Sequence, residues 1–302
     1  MTTGVVLMTY GAPAGEADLP RYLAAVRGGR AADPELLAEM ARRYAVIGGS
    51  PLVARTIEQA AALERTLGER HLVTAGMRFS APAIAEAVGS LVMRGATRLV
   101  GICMSPQWSP LLMSGYEREL RAEADRRGVP AAIAGAWHRA PRFIAALAEG
   151  VRASLREHPG ATVLLTAHSL PKRVFDAEPE YIAQLRETGD LVAAAAGLSA
   201  ERWRWAYQSA GHTQEEWLRP DLVELFPELV ASGARDVLVV PVQFLADHLE
   251  VLYDLDVAAA QQARAAGLVY HRIAMPNAQP EFIRALADVA RATESSLLDA
   301  VR

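Results

Sequence analysis

Residues 244–256 (FLADHLEVLYDLD) group acidic side chains and a histidine at spacings of three and four. On a helix, Asp247, Glu250 and Asp254 would share one face. Like charges four apart cost about 0.2–0.5 kcal/mol per pair, so the grouping needs a physical reason. Asp247 could act as an N-cap, and Glu250 would lie in the first turn, where the helix dipole favours negative charge. Asp254 lies too far along for either role, so a catalytic or metal-binding role stays open beside the structural one.

His168 directly follows a short apolar run, VLLTA, which predicts a buried strand. A histidine at a strand end is either a satisfied polar residue or a functional one. An imidazole titrates near pH ~6.5, so it can accept a proton or bind a metal at neutral pH. Paired with Glu250, it would suit iron(II) or zinc without forming a closed structural zinc site. His138 and His248 are candidate supporting residues, and His212 is a candidate pocket residue in a glycine-containing loop.

Other segments have the composition of ligand-binding loops. The stretch YAVIGGSPL (44–52) predicts either a helix end followed by a turn or an anion cradle that includes Ser50, with Arg43 nearby. The phosphate-loop pattern GxxxxGK[ST] is absent, so nucleotide binding is not predicted. Arg27 and Arg30 would either pair with ligand carboxylates or remain solvated. The apolar cluster in 104–119 fits a core or the wall of a pocket for a flat ligand.

The composition excludes several classes of protein. The 302 residues are 51% hydrophobic with a net charge of −4, so no basic surface indicates a nucleic-acid partner. One cysteine, Cys103, rules out a disulfide framework, a cysteine-built zinc site and a protein-held iron–sulfur cluster. There is no apolar stretch of about 20 residues and no signal-peptide pattern, so we expect a cytoplasmic protein without stable membrane insertion.

Short apolar runs alternate with helical patterns, which predicts an α/β protein with parallel sheets. The predicted strands are 4–9, 72–76, 98–103, 131–135, 162–166, 203–207, 236–241 and 268–272. The predicted helices are 34–44, 55–68, 82–94, 115–127, 141–157, 178–195, 220–232, 247–266 and 279–299.

An internal repeat divides the chain. VVLMTYGAP (5–13) resembles VLLTAHSLP (163–171), and 93–107 resembles 230–244. We therefore predict two similar flavodoxin-like or Rossmann-like halves, 1–140 and 141–302, with parallel four-stranded sheets facing a shared cleft. The helix at 279–299 is expected to pack back on the first half. Because such sheets bind ligands beyond the carboxyl ends of their strands, Tyr10, His168 and Glu250 should converge in that cleft.

Six motifs now resemble those of the ferrochelatases, in the family's order and over almost the whole chain. They are LMTYGAP, RYAVIGGSPL, TAHSLP, AYQSAGHTQEEWLRP, PVQFLADHLEVLYDLD and MPNAQPEFI. The resemblance implies the class II chelatase fold and insertion of ferrous iron into a porphyrin during heme biosynthesis. The tyrosine after the first strand resembles the Gram-positive-type branch, which converts coproporphyrin III to coproheme. The branch that metallates protoporphyrin IX is the alternative.

The resemblance also implies roles for individual residues. His168 and Glu250 would form the catalytic pair and contact the metal on one face of the macrocycle, with Tyr10 contacting it on the other. Asp254 would continue an acidic path for metal or protons. The implied porphyrin-binding residues are Tyr10, Arg27, Arg43, Tyr44, Ser50 and Tyr116.

Two positions depart from the family pattern. Ala258 stands where relatives often carry a further carboxylate, which implies a shorter acidic path, and Phe79 stands where some have a histidine, so an outer metal site that used this histidine would be lacking. The sequence ends at SSLLDAVR, and we expect no cysteine-bearing C-terminal extension like that of cluster-containing relatives. We therefore expect no cofactor beyond the substrate iron, and no iron–sulfur cluster. The expected partners are porphyrin, ferrous iron and, transiently, neighbouring heme-pathway enzymes, and we expect a monomer.

Two other functions stay open. A related class II chelatase would insert cobalt or nickel into another tetrapyrrole. A non-catalytic tetrapyrrole carrier would need the apolar wall and the arginines but not the pair of His168 and Glu250. A periplasmic two-lobed binding protein is less favoured because no export pattern is present.

Overall fold

We describe residues 1–211 and 215–300 of a computed structural model of the chain. The strands are β1 (Thr2–Thr9), β2 (His71–Met77), β3 (Ala96–Cys103), β4 (Ala131–Ile133), β5 (Thr162–His168), β6 (Trp203–Gln208), β7 (Asp236–Pro241) and β8 (Val269–Arg272). They form two four-stranded parallel sheets with the orders β2-β1-β3-β4 and β6-β5-β7-β8. The α/β class, the eight strands and the shared topology of the two sheets are therefore confirmed. His212 lies outside the described residues.

The strands are apolar because both faces of each sheet are covered. Val5, Val6 and Leu7 of β1 are fully buried, and so are Leu164 and Leu165 of β5. The register of the first sheet pairs Met8 with Gly76 on one side and with Cys103 on the other. Its strands therefore end at a common edge, and the residues that follow them lie together.

The helices cover both sheets and supply the walls of the cleft. They are α1 (Leu19–Val26), α2 (Pro34–Val46), α3 (Leu52–Leu67), α4 (Ile84–Met93), α5 (Pro110–Arg126), α6 (Pro141–Glu157), α7 (Lys172–Ala177), α8 (Pro179–Ala196), α9 (Leu222–Ala231), α10 (Ala260–Ala266) and α11 (Pro280–Ala300). The sequence pattern missed α1 and α7, which have eight and six residues. Such lengths are shorter than the window in which helical periodicity can be recognised.

The helix predicted over 247–266 is confirmed from Glu250 onward, but its start and the type of its first part differ from the prediction. A π-helix runs from Glu250 to Ala259 and continues directly into α10. Asp247 precedes it and is not its N-cap: the Asp247 backbone N–H donates to Oδ1 of Asn277, and Nδ2 of Asn277 donates to Asp247 Oδ2. Asp256 also has a structural partner, because Arg272 donates to both of its oxygens at 2.6 and 2.8 Å. Of the three carboxylates predicted to share one face, Glu250 and Asp254 therefore line the same chamber, and Asp247 does not.

The last helix, α11, contacts both halves of the chain. It packs on α3 of residues 1–140 and on α6 of residues 141–302. Nε2 of His71 lies 3.0 Å from Glu294, and Arg142 donates to Glu281 at 2.8 Å. In the part of the chain that the structure describes, no helix combines the length and the apolar character that crossing a membrane requires.

Candidate active site

Two cavities meet at the mouth of the sheets, and they share His168 and Glu250. The first, of about 570 Å³, is the apolar chamber. Its walls include Tyr10, Leu23, Tyr44, Met113, Tyr116 and Phe244. The second, of about 850 Å³, is the polar chamber. Its walls include Glu39, Arg43, Asp221, Glu224, Tyr253 and Asp254. The predicted pair therefore stands at the junction of two chemically different spaces.

His168 ends β5, and hydrogen bonds fix its position and tautomer. Its backbone N–H donates to Oε1 of Gln243 at 2.9 Å. Nδ1 lies 2.5 Å from the carbonyl oxygen of Ser169, which can only accept, so Nδ1 carries a proton. In the neutral ring the lone pair is then on Nε2, which lies 3.9 Å from Oε2 of Glu250. The imidazole is thereby set up to accept a proton on its Nε2 side.

Glu250 begins the π-helix and faces two imidazoles. The same oxygen, Oε2, lies 3.6 Å from Nε2 of His248. Burial by itself would raise the pKa of Glu250, but His168 and His248 outweigh it and lower the pKa to about 2. The ring of His248 is desolvated, yet its contact with Glu250 raises the pKa of His248 above the usual value. Glu250 is therefore an anion at neutral pH.

Tyr10 follows β1 and lines the apolar chamber together with His168, as predicted from the strand ends. Its ring packs edge-on against Phe79, with the ring centroids 4.6 Å apart. Desolvation and the charge of Glu250 raise the pKa of Tyr10, although Arg78 opposes the shift. The phenol is thus protonated at neutral pH. Phe79 supplies an apolar ring, which has no metal-binding atom.

The predicted porphyrin-binding residues do not form one set. Tyr44, Ser50 and Tyr116 line the apolar chamber, and burial raises the pKa of both tyrosines, with that of Tyr44 at about 12. Arg43 lines the polar chamber instead, where it lies 2.7 Å from Glu39 and 3.4 Å from Asp254. The sixth predicted residue, Arg27, is exposed at the end of α1 and is not part of the described lining of either chamber.

The glycines before Ser50 form a turn. Gly48 and Gly49 have φ angles of 71° and 93°, in the left-handed region that glycine adopts without strain. The hydroxyl of Ser50 accepts the backbone N–H of Leu52 at 3.4 Å. The sequence therefore closes α2, reverses direction and opens α3 over the apolar chamber, as the turn interpretation predicts.

Asp254 lies in the polar chamber one turn beyond Glu250. Burial and the negative charge of Glu250 raise the pKa of Asp254, while His168 and Arg43 oppose the shift. Ala258 lines the same chamber and adds no carboxylate to it. Within residues 1–211 and 215–300, no group of three or more His, Cys, Asp or Glu side chains has an arrangement that could hold a metal ion.

Sequence reasoning missed charged residues of the cleft, among them Asp221 and Arg78. Asp221 caps α9, lines the polar chamber and has a pKa that burial raises. Its pattern with Glu224 three residues on is a capping box, so the sequence marks its cap role but not its place in the cleft. Arg78 lines the apolar chamber and has no sequence marker. His138 is buried against Glu187 at 2.8 Å and lies outside the described linings of both chambers.

This geometry can carry out metal exchange on a flat ligand. The apolar chamber can hold a macrocycle, and the polar chamber offers carboxylates for a divalent cation. At their junction, Nε2 of His168 can accept a proton while the Glu250 anion stabilises the imidazolium that forms.

Comparisons with known proteins agree with this chemistry. The family model described as Ferrochelatase matches residues 2–294. A ferrochelatase of Deinococcus radiodurans is 37% identical over 95% of this chain and 94% of its own length. A coproporphyrin III ferrochelatase of Geobacillus sp. is 38% identical, and that of Bacillus subtilis is 36% identical; each match covers 95% of this chain and 96% of the relative.

Solved structures show the same fold at low sequence identity. CbiX, the terminal enzyme for biosynthesis of siroheme in denitrifying bacteria, has a TM-score of 0.57 at 15% identity, covering 97% of this chain and 99% of that one. SirB from Bacillus subtilis with Fe³⁺ also has a TM-score of 0.57, at 12% identity over 97% and 96% of the two chains. The class II chelatase fold is confirmed, and the chain belongs to the ferrochelatase family, whose enzymes insert a metal ion into a porphyrin.

Proposed function

We propose that the protein inserts ferrous iron into coproporphyrin III and so forms coproheme in heme biosynthesis. The observation that carries the chemistry is the position of His168 and Glu250 at the junction of the apolar and polar chambers. The choice of coproporphyrin III is supported by the names of the Geobacillus and Bacillus relatives. Porphyrin and ferrous iron are the substrates.

The reaction exchanges two pyrrole protons for one iron(II) ion. The porphyrin lies in the apolar chamber, and iron reaches the junction from the polar chamber. Nε2 of His168 accepts a proton from a pyrrole N–H as a nitrogen–iron bond forms, and Glu250 compensates the charge of the imidazolium. Each proton then passes to water in the polar chamber, which returns His168 to its neutral form. Tyr10 contacts the metal from the opposite face of the ring.

Bending the macrocycle exposes the pyrrole nitrogens to the incoming ion. The walls of the apolar chamber supply the binding energy for this strain through contact with the ring and its substituents. Hydroxyls of Tyr44, Ser50 and Tyr116 on these walls are available for the propionates. Coproporphyrin III has four propionates and protoporphyrin IX has two, so the former gains more from polar groups around the chamber.

The test is anaerobic insertion of iron(II), followed by absorbance, with coproporphyrin III and protoporphyrin IX offered separately. We expect rapid metallation of coproporphyrin III by the wild type and loss of it in Glu250→Ala. A preference for protoporphyrin IX would refute coproporphyrin III as the substrate but would leave the proposed mechanism unchanged. Tight binding of both porphyrins without insertion into either would refute the enzymatic function and favour a carrier.

A further inference from the structure

Arg78 is the one lysine or arginine among the described residues that line the apolar chamber. Of the two arginines expected to bind porphyrin, Arg27 is outside that lining and Arg43 is held by carboxylates of the polar chamber. A flat ligand with several carboxylates therefore meets a single strong cation along this wall. Arg78 is the first residue after β2. Its backbone N–H donates to the carbonyl oxygen of Thr9, which places Arg78 beside Tyr10.

Groups from α5 and from Phe79 surround the guanidinium of Arg78 and form a small pocket for it, which we call its seat. The group lies 5.2 Å from the ring centroid of Tyr116 and 4.9 Å from that of Phe79. Nη1 donates to the carbonyl oxygen of Leu112 at 3.3 Å. Gly115 of α5 leaves room for it, since a Cβ at that position would overlap the guanidinium. The side chain is only 23% exposed, so the seat withdraws a permanent charge from most of its water.

The nearest carboxylate compensates this charge weakly. Oε1 of Glu119 lies 3.9 Å from Nε of Arg78, which is beyond hydrogen-bond distance, and 43% of the Glu119 side chain is exposed. A pair this long, with one partner 43% exposed, contributes little. A guanidinium has five donors in a fork that matches a carboxylate, so a partly desolvated arginine with a long ion pair is suited to an anionic ligand group.

We infer that Arg78 forms a carboxylate subsite of the apolar chamber, together with the hydroxyl of Tyr116, and that it binds one propionate of the porphyrin. This inference rests on the proposed function, because it takes the bound ligand to be a porphyrin with propionate arms. Arg78 then selects for carboxylates around the macrocycle. It binds substrate at a distance from the reacting nitrogens, so its loss weakens binding more than the chemical step.

The test compares coproporphyrin III with its tetramethyl ester, which keeps the ring and lacks the charges. Binding without iron is followed by quenching of porphyrin fluorescence in the same mild detergent. A charge-assisted hydrogen bond contributes about 1.5–3 kcal/mol. We therefore expect Arg78→Gln to weaken binding of the acid by about 10- to 100-fold. Binding of the ester should change less than about twofold.

A matched control and a second variant keep the test decisive. Arg118→Gln removes an exposed arginine from α5, the helix that carries Gly115 and Tyr116. Arg118 is outside the described chamber lining, so the affinities for the acid and for the ester should both stay unchanged. Gly115→Ala keeps Arg78 but fills its seat, and alanine favours the helix. We expect it to reduce the preference for acid over ester severalfold, which tests the subsite even if Arg78→Gln does not fold.

The result that overturns the inference is equal weakening of acid and ester, which indicates packing, or no weakening of either. A lowered insertion rate at saturating coproporphyrin with unchanged affinity would overturn it too. Failure of the proposed function is recognised separately. In that case the wild type would not metallate coproporphyrin III, whereas the preference for acid over ester is measured without iron.

Discussion

Arg42 on α2 donates a hydrogen bond of 2.5 Å to the phenol oxygen of Tyr253 in the π-helix. The contact joins the two halves of the chain across the cleft. Arg43 strengthens it, because both guanidinium groups lie over the Tyr253 ring, at 5.3 and 5.1 Å from its centroid. Helix α2 has no buried residue of its own, although its side chains line both chambers. The wall that α2 forms is therefore held by these contacts together with the partly buried side chains that α2 packs against Leu19, Tyr22 and Leu23.

We expect Tyr253→Phe to loosen α2. The variant keeps the ring under both arginines and removes only the acceptor of the Arg42 hydrogen bond. Hydrogen exchange of the backbone amides of residues 34–46, followed by mass spectrometry, should become severalfold faster. Tyr270→Phe is the control, because its buried hydroxyl has no hydrogen-bond partner in the described part of the chain. Unchanged exchange of α2 in Tyr253→Phe would show that the hydrogen bond does not hold the helix.

His168→Ala should abolish insertion and leave porphyrin binding nearly intact. The variant removes the proton acceptor at the junction of the chambers and leaves the apolar side chains of the chamber wall in place. General-base catalysis contributes about 10²–10⁴-fold, so single-turnover insertion at saturating coproporphyrin III should slow by that factor. His158→Gln, outside the described linings of both chambers, should insert iron at the wild-type rate. Weaker binding with normal turnover at saturation would refute the proton-acceptor role.

Glu250→Gln should lower the pKa of His248. In the wild type the carboxylate raises that pKa, and the amide of the variant carries no charge to do so. NMR titration of labelled histidine side chains measures the change directly. The pKa of Glu250 is lowered to about 2. The contribution of the Glu250 charge to the stability of the folded protein is therefore complete above the ordinary carboxyl pKa, and it is lost as the pH falls through about 2. If iron insertion by the wild type slows as the pH falls through the neutral range, groups other than Glu250 cause the loss. An unchanged pKa of His248 in Glu250→Gln would contradict the pairing of His248 with Glu250.

The sheets were predictable because their strands are continuous apolar runs between turn residues. The π-helix was not, because one added residue per turn leaves the composition of a helix unchanged while it rotates the side chains. Asp247 consequently looked equivalent to Glu250 and Asp254. Only the tertiary contacts with Asn277 and Arg272 separate the structural carboxylates from those of the cleft.

Site residues that directly follow a strand were predictable from the sequence. Tyr10 follows the first strand of its half and His168 ends the first strand of the other, where parallel sheets place their ligands. Arg78 follows β2 in the same way, but neither its spacing nor its neighbours distinguish it from a solvated arginine. Its seat is built by Gly115 and Tyr116 of α5, so its role depends on packing between elements that lie far apart in the chain.

Gly76→Ala should destabilise the first half of the chain. A Cβ on this β2 residue would lie 2.9 Å from the backbone Cα of Ile84, so α4 would have to move away from the sheet. Overpacking of this kind costs about 1–3 kcal/mol. Gly150→Ala is the matched control, since its Cβ would meet nothing nearer than 3.6 Å and a helix gains about 0.5–1 kcal/mol from the change. Urea unfolding midpoints test both, and equal midpoints would contradict the tight approach of α4.

Asp254→Asn should raise the KM for iron(II) severalfold and leave porphyrin affinity unchanged. Its carboxylate lies in the polar chamber, and its loss removes one negative charge from the path of the cation. Burial, together with Glu250, raises the pKa of Asp254, so this charge disappears at a higher pH than that of an ordinary carboxylate. The KM of the wild type should therefore rise as the pH falls through that raised pKa. The KM of the variant should lack this rise at low pH.

Asp256→Asn on the same helix is the control, because Asp256 pairs with Arg272 outside the described chamber linings. Equal iron KM values in the wild type and Asp254→Asn would remove Asp254 from the metal path.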